Sequence, residues 1–311
     1  MNHLLRKKSR SVKKDTKKTT LLIDCSTLTY AALYTTGHLS FEGKETGVIY
    51  GFLRKLLTIS KKFKTNDFIL CWDAGIGHRH LDYPGYKEKR KEKKKEYTLE
   101  EKEIHNSLLL QSLKLNHEIM PNLGFRNSFI QPMYEADDLL AYWVNKLKDK
   151  KNRIIMVTTD ADMYQCLDHC DIWNPSKKTF ITKKILQKNF GIEPSNWAMA
   201  KAIGGCDGDG VIGIEGVADP KKSTSKALKY LQGKLSEGKI KDRIESRKGK
   251  EIIIKNLPIV TTPYKEELMK RMIKRRNCYS RKRFMKVFDQ YHFKSFLEKD
   301  NFIEWKESFL S

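Results

Sequence analysis

The chain lacks any run of 18 apolar residues in its 311. A helix crossing a bilayer needs about 20, so no membrane span is expected. It also lacks the apolar core of a secretory signal. Residues 1–20 instead carry Arg6, Lys7, Lys8, Arg10, Lys13, Lys14, Lys17 and Lys18 against one acid, Asp15, and read as a flexible basic arm. Cysteine is too sparse for a disulfide framework, at six residues in this length. Cys25 and Cys71 lie in apolar, strand-like runs and read as core thiols. Cys166 and Cys170 flank His169, but no second ligand pair has suitable spacing, which argues against zinc. Reduced thiols without an export signal point to an intracellular, cytoplasmic protein. There is no internal repeat.

Acids are the other shortage. Against 61 Lys+Arg stand 38 Asp+Glu, a formal net charge of +23. Such an excess makes the compact state repel itself, so it is best explained by a polyanionic partner, of which nucleic acid is the commonest.

Three apolar runs each end in an acid: Leu21-Leu22-Ile23-Asp24, Phe68-Ile69-Leu70-Cys71-Trp72-Asp73 and Ile154-Ile155-Met156-Val157-Thr158-Thr159-Asp160. Continuous runs of this length suit strands buried on both faces, as in a parallel sheet. Helical patterns lie between them, over about 50–61 and after Glu135. The alternation predicts a doubly wound α/β domain. From Tyr86 to Glu96 it breaks into seven bases and three acids with almost nothing to bury. A helix there has Lys or Arg nearly all round, and is either a solvated charged face or a mobile basic element closing over a nucleic-acid strand. The C-terminal third is expected to be basic and helical, with ten bases and two acids over 265–286. There Arg271, Lys274, Arg275, Arg276, Arg281, Lys282 and Arg283 either grip a duplex or face solvent.

In an open parallel sheet, ligands bind beyond the carboxyl ends of the strands. Asp24, Asp73 and Asp160 stand at such ends, Asp162 follows by two, and Glu135, Asp137 and Asp138 open the helix after Phe129-Ile130-Gln131. The helix dipole accounts for one or two first-turn acids, but not for seven converging on one sheet edge. Crowded carboxylates raise one another's pKa values unless cations offset the charge. Oxygen ligands suit Mg²⁺, with Mn²⁺ as a substitute. Two ions roughly 4 Å apart activate a water and stabilise the leaving oxygen in phosphodiester cleavage.

These residues resemble the 5′ nucleases: polymerase I N-terminal domains, phage 5′ exonucleases and flap endonucleases. Gly47-Val48-Ile49-Tyr50-Gly51-Phe52 is similar to the family's Gly-x-x-Tyr-Gly-Phe, and Trp72-Asp73-Ala74-Gly75, Arg79 and Tyr86-Lys87-x-x-Arg90 to its Phe-Asp-Ala…Arg…Tyr-Lys-x-x-Arg. Glu135-Ala136-Asp137-Asp138 and Thr159-Asp160-Ala161-Asp162-Met163 resemble its Glu-Ala-Asp-Asp and Asp-x-Asp-Met blocks. The resemblance runs from about residue 21 to at least 263. It implies a PIN-like catalytic domain over 21–190, a helical arch at about 78–127, and a helix–hairpin–helix-like, then basic helical, region over 191–311. Asp24, Asp73, Glu135 and Asp137, with Asp138, would serve a first metal; Asp160, Asp162 and Asp209 or Asp207 a second. Lys87 and Arg90 would contact the scissile phosphate. Arg79, Lys89, Lys91, Gly213, Gly216, Lys221 and Lys222 would contact DNA.

The glycine-rich segment departs from the bacterial pattern. Cys206 holds the first Asp position, Asp207 follows it as in the eukaryotic version, Asp209 aligns with the second Asp, and Ala218 replaces the final glycine. That last change argues against K⁺ at the 213–217 turn, since such turns use glycine to approach a phosphate closely. The implied activity is a structure-specific 5′–3′ exonuclease or flap endonuclease, removing RNA primers or 5′ flaps as phage replication nucleases of RNase H type do. Its expected partners are DNA with 5′ flaps or single-stranded 5′ ends, RNA–DNA hybrids and replication proteins, and it is expected to be a monomer. Two alternatives stand beside it: a PIN-like ribonuclease, though those domains are about half this length, and a DNA-binding accessory protein that has lost catalysis.

Overall fold

A computed structural model describes residues 18–218, 220 and 225–310. Most of the basic arm, with Lys221 and Lys222, lies outside them. Six strands form one sheet: β1 (Thr19–Asp24), β2 (Phe68–Cys71), β3 (Ser128–Phe129), β4 (Arg153–Val157), β5 (Asp171–Asn174) and β6 (Thr179–Ile181), in the order β3-β2-β1-β4-β5-β6. All neighbours are parallel except β5 and β6. Sequential order reverses between β1 and β4, which opens a crevice at their carboxyl ends. The doubly wound, mostly parallel α/β expectation therefore holds.

The apolar runs are strands because both of their faces are covered. Leu21, Ile23, Phe68, Leu70, Ile155 and Val157 point into one core; Leu22, Ile69, Cys71, Ile154 and Met156 point into another. Helices α1 (Cys25–Thr36) and α2 (Gly47–Phe63) cover the first face. A Cβ on Gly47 would stand 1.9 Å from the Thr36 carbonyl oxygen, and one on Gly51 2.1 Å from Thr36 Oγ1, so these glycines set how closely the two helices cross. Glu135 precedes α5 (Ala136–Leu147), which packs on the second face.

Between β2 and β3 the chain leaves the sheet. Helix α3 (Glu88–Lys95) buries no residue, as its composition requires. Thr98 and Glu101 form a capping box that starts α4 (Leu99–Lys114). Gln111 anchors α4 to the sheet layer: its Oε1 accepts from the Val48 and Ile49 amides at 3.0 and 3.2 Å, satisfying donors at the start of α2.

After α6 (Trp197–Gly204) and α7 (Arg247–Val260) the helical expectation for the C-terminal third fails in one stretch. Residues 269–280 are an extended strap. The Lys270 and Arg275 amides donate to the side-chain oxygens of Gln131 and Asn127, and the Cys278 amide donates to the Gly124 carbonyl. The strap runs beside β3, the edge strand, where unpaired backbone groups need cover. Its bases are partly engaged: Lys274 ion-pairs with Asp67 at 2.6 Å. Helix α8 (Arg281–Gln290) follows, and the chain ends against the α1–α2 face. Trp305 is 1% exposed, and Phe309 stacks near Phe68 and Phe125 at centroid distances of 5.8 and 5.6 Å.

Candidate active site

The carboxylates are held by local backbone geometry. Asp24 ends β1 and caps α1, accepting from the Thr27 amide (3.1 Å), Thr27 Oγ1 (2.6 Å) and Thr158 Oγ1 (2.8 Å). Asp73, two residues past β2, accepts from the Ala136 amide at 2.8 Å and from Ser26 Oγ, which ties it to the start of α5. Asp160 accepts from the Asp162 amide at 2.8 Å. These contacts bring Asp24, Asp73, Glu135, Asp137 and Asp160 onto a cleft of about 760 Å³ that Lys87, Arg90, Lys94 and Lys102, at or on α3 and α4, also line.

Burial and mutual repulsion dominate this cluster. The Asp137 carboxyl is pushed well above the usual range by burial, then by Asp160, Asp24 and Asp73. Asp24 is raised by burial and by Asp73, against the bonds from Thr27 and Thr158. Asp160 is pushed up to about 6 by burial and by Asp162. Glu135 behaves differently: burial alone would raise it, but the Lys87 ammonium at 2.5 Å, then Arg79, hold it below the ordinary value. Tyr86 Oη also donates to Glu135 at 2.8 Å.

On the other side of Asp160 lies a second group. Ligand atoms of Asp162, Cys206 and Asp209 all fall within 4.8 Å of one another. Asp209 is 9% exposed; its Oδ1 accepts from Arg90 Nη2 at 2.8 Å and its Oδ2 from Cys206 Sγ at 3.1 Å. Asp207 is exposed and outside this group. Burial pushes the Cys206 thiol up to about 12, with Lys201 opposing.

Two sequence expectations are corrected. Asp138, expected to help hold a metal, is 1% exposed and receives a two-pronged ion pair from Arg79 at 2.7 and 2.8 Å. Arg79, expected on DNA, is 4% exposed and also donates to the Ile259 and Thr261 carbonyls. The guanidinium is spent on four protein acceptors, and neither residue lines the cleft. Lys89 and Lys91 are exposed on α3. Gly213 is closely packed, since a Cβ there would meet Gly204 backbone at 2.3 Å, whereas Gly216 is exposed at φ 81°.

Sequence reasoning passed over Lys201, Tyr86, Thr27 and Thr158. Lys201 had a signal: it is the sole charge in Trp-Ala-Met-Ala-Lys-Ala-Ile-Gly, the whole of α6. Its ammonium reaches Asp162 Oδ1 at 2.6 Å and Cys206 Sγ at 3.2 Å.

Acids at the carboxyl edge of the sheet, beneath the basic helix α3, are the arrangement of a nuclease family. The family described as 5′-3′ exonuclease, N-terminal resolvase-like domain, matches residues 19–191, and the chain belongs to it. It is 30% identical over 216 residues to the 5′-3′ exonuclease of Aquifex aeolicus, covering 68% of this chain and 70% of that one. It is 28% identical over 202 residues to the thermostable DNA polymerase I of Thermus aquaticus, of which the match spans only 22%. Among solved structures, the T5 5′-exonuclease bound to zinc superposes with a TM-score of 0.63 at 19% identity, covering 78% of this chain and 89% of that one. A bacteriophage T5 flap endonuclease in complex with DNA and metal ions gives 0.64 at 19%. At such identity these two structures establish the PIN-like nuclease fold. Among the described residues, no helix is long and apolar enough to cross a membrane.

Proposed function

We propose that the protein is a divalent-metal-dependent 5′ nuclease that hydrolyses phosphodiesters at 5′ flaps or single-stranded 5′ ends, RNA primers among them, by a two-metal mechanism. The observation that carries this is the convergence of five carboxylates on one cleft roofed by a helix of bases, in a chain of net charge +23. The first donor set fits a hard cation, because its five carboxylates offer oxygen alone; at the second position Asp160, Asp162 and Asp209 supply the oxygens beside the Cys206 thiol. The raised Asp24, Asp137 and Asp160 carboxyls mark negative charge that a cation would offset.

Asp24, Asp73, Glu135 and Asp137 would hold the first ion, and Asp160, Asp162 and Asp209 the second. Bound Mg²⁺ or Mn²⁺ would supply an activated water and charge stabilisation at the leaving oxygen. The rest is the chain's own work. Asp24 and Asp73 are fixed by Thr27, Thr158, Ser26 and the Ala136 amide, so little reorganisation is needed on loading. Lys87 and Arg90 lie one helical turn apart at the arch base, each paired to a cluster acid. Once those acids are neutralised, both cations are free to turn to the scissile phosphate and stabilise its developing charge. The exposed Lys89 and Lys91 would draw a single strand beneath α3 by counterion release.

The test is cleavage of a labelled 5′-flap oligonucleotide with Mg²⁺ and with EDTA. Wild type is expected to cut only with metal, and Asp73→Asn and Asp160→Asn to lose cleavage. Either variant cutting as well as wild type refutes the reading.

A further inference from the structure

Lys201 stands where the proposed function needs a second cation. It projects from α6, in which seven of eight residues are buried, and Lys201 itself is 2% exposed. A lysine is seldom buried to this extent without a partner, because desolvating an ammonium is costly. Its partners include the second group's own donors: Asp162 Oδ1 at 2.6 Å and Cys206 Sγ at 3.2 Å. Cys206 in turn donates to Asp209, which holds Arg90. The ammonium also bears electrostatically on Asp160, lowering a carboxyl that burial and Asp162 raise. In the first cluster the cations Lys87 and Arg79 both sit on Glu135, at 2.5 and 3.6 Å, and among the described residues Asp24, Asp73 and Asp137 have no ion pair.

We infer that Lys201 is a built-in competitor for the second metal position: its ammonium occupies the Asp162–Cys206 corner in the metal-free protein and must be displaced before a divalent ion settles there. The inference rests on the two-ion reading of the site. The two positions then differ in kind. In the first, the cations are confined to Glu135 and the aspartate oxygens stand open to an incoming ion. The second carries its own monovalent cation and a thiol in place of a carboxylate, so its donor set holds one formal charge fewer than three carboxylates would. An incoming DNA phosphate helps it load by giving the displaced ammonium another anion to face.

Calorimetric titration of the metal-free protein with Mn²⁺, without DNA, tests this and requires no turnover. In wild type the second ion is expected to bind at least ~10-fold more weakly than the first, the scale of one nearby charge at short range. Lys201→Met should tighten the second ion by about tenfold or more and leave the first unchanged. Lys201→Gln, which keeps a hydrogen-bonding tip for Asp162, serves if the Met variant does not fold. Two ions of equal affinity in wild type, or no tightening in a folded variant, would overturn the role of Lys201 and leave the metal-dependent reading standing. No ion binding in any form, with Asp137→Asn indistinguishable from wild type, would remove both.

Discussion

Replacing Arg79 with methionine isolates the buried clasp it forms with Asp138. The guanidinium makes two bonds to that carboxylate, at 2.7 and 2.8 Å, and two more to the Ile259 and Thr261 carbonyls. Both side chains are enclosed, at 4% and 2% exposure. Removing the guanidinium leaves a buried carboxylate without a countercharge, held only by the Tyr264 and Glu135 amides, which costs about 3–5 kcal/mol. That is a large share of the ~5–15 kcal/mol that holds a domain folded, and corresponds to a melting-temperature drop of roughly 5–8 °C. Urea unfolding by circular dichroism measures it. The double variant Arg79→Met with Asp138→Asn should be no less stable than Arg79→Met alone, because the stranded charge is gone while an acceptor for the Tyr264 amide remains. Affinity for DNA, measured where each variant is folded, should change little. A cost under about 1 kcal/mol, additive single costs, or a selective loss of DNA affinity would refute the assignment of Arg79 to structure rather than to the substrate.

Three further outcomes are expected. Asp160 has a folded-state pKa raised to about 6, so its contribution to stability is fully present below its ordinary value of 3.8 and is lost as pH rises through about 6. Asp160→Asn should therefore stabilise the metal-free protein at pH 8 by on the order of 1 kcal/mol, discounted because the residue stands in contact with water. Thermal melts in EDTA at pH 8 and pH 4 check this, with no gain expected at pH 4. Lys87→Ala and Arg90→Ala should each lower kcat on a flap substrate by about 10²–10³ with little loss of stability, if each supplies transition-state charge; single-turnover kinetics separates this from weaker binding. Trp305→Ala, far from the cleft, should cost about 3–5 kcal/mol in denaturant unfolding through the cavity it leaves.

The sheet was legible because each central strand is buried on both faces and so reads as an unbroken apolar run. Asp24, Asp73 and Asp160 followed from position alone, since acids just past such runs lie at the ligand-binding edge. Asp137 and Asp138 show where pattern reading overreached. Successive helical residues are rotated by about 100°, so adjacent acids do not share one face. Here Asp137 faces the cleft and Asp138 faces Arg79. The strap over 269–280 was unreadable for another reason: its path is set by Asn127, Gln131 and Gly124, more than a hundred residues away, and not by any local period. Lys201 was visible as a lone charge in an apolar helix, yet only the tertiary fold shows which carboxylate it faces.

The placement of Trp305 and Phe309 has a consequence for how the chain acquires its shape. Their ring partners include Phe68, Phe125 and Phe284, and with Phe288 and Phe296 they close the layer over α1 and α2. A ribosome delivers β1, β2 and their helices well before those last aromatic residues emerge. The early segments thus wait with one apolar face open, and contacts so distant in sequence form late and slowly. A nascent chain stalled before residue 300 would present that face to its surroundings.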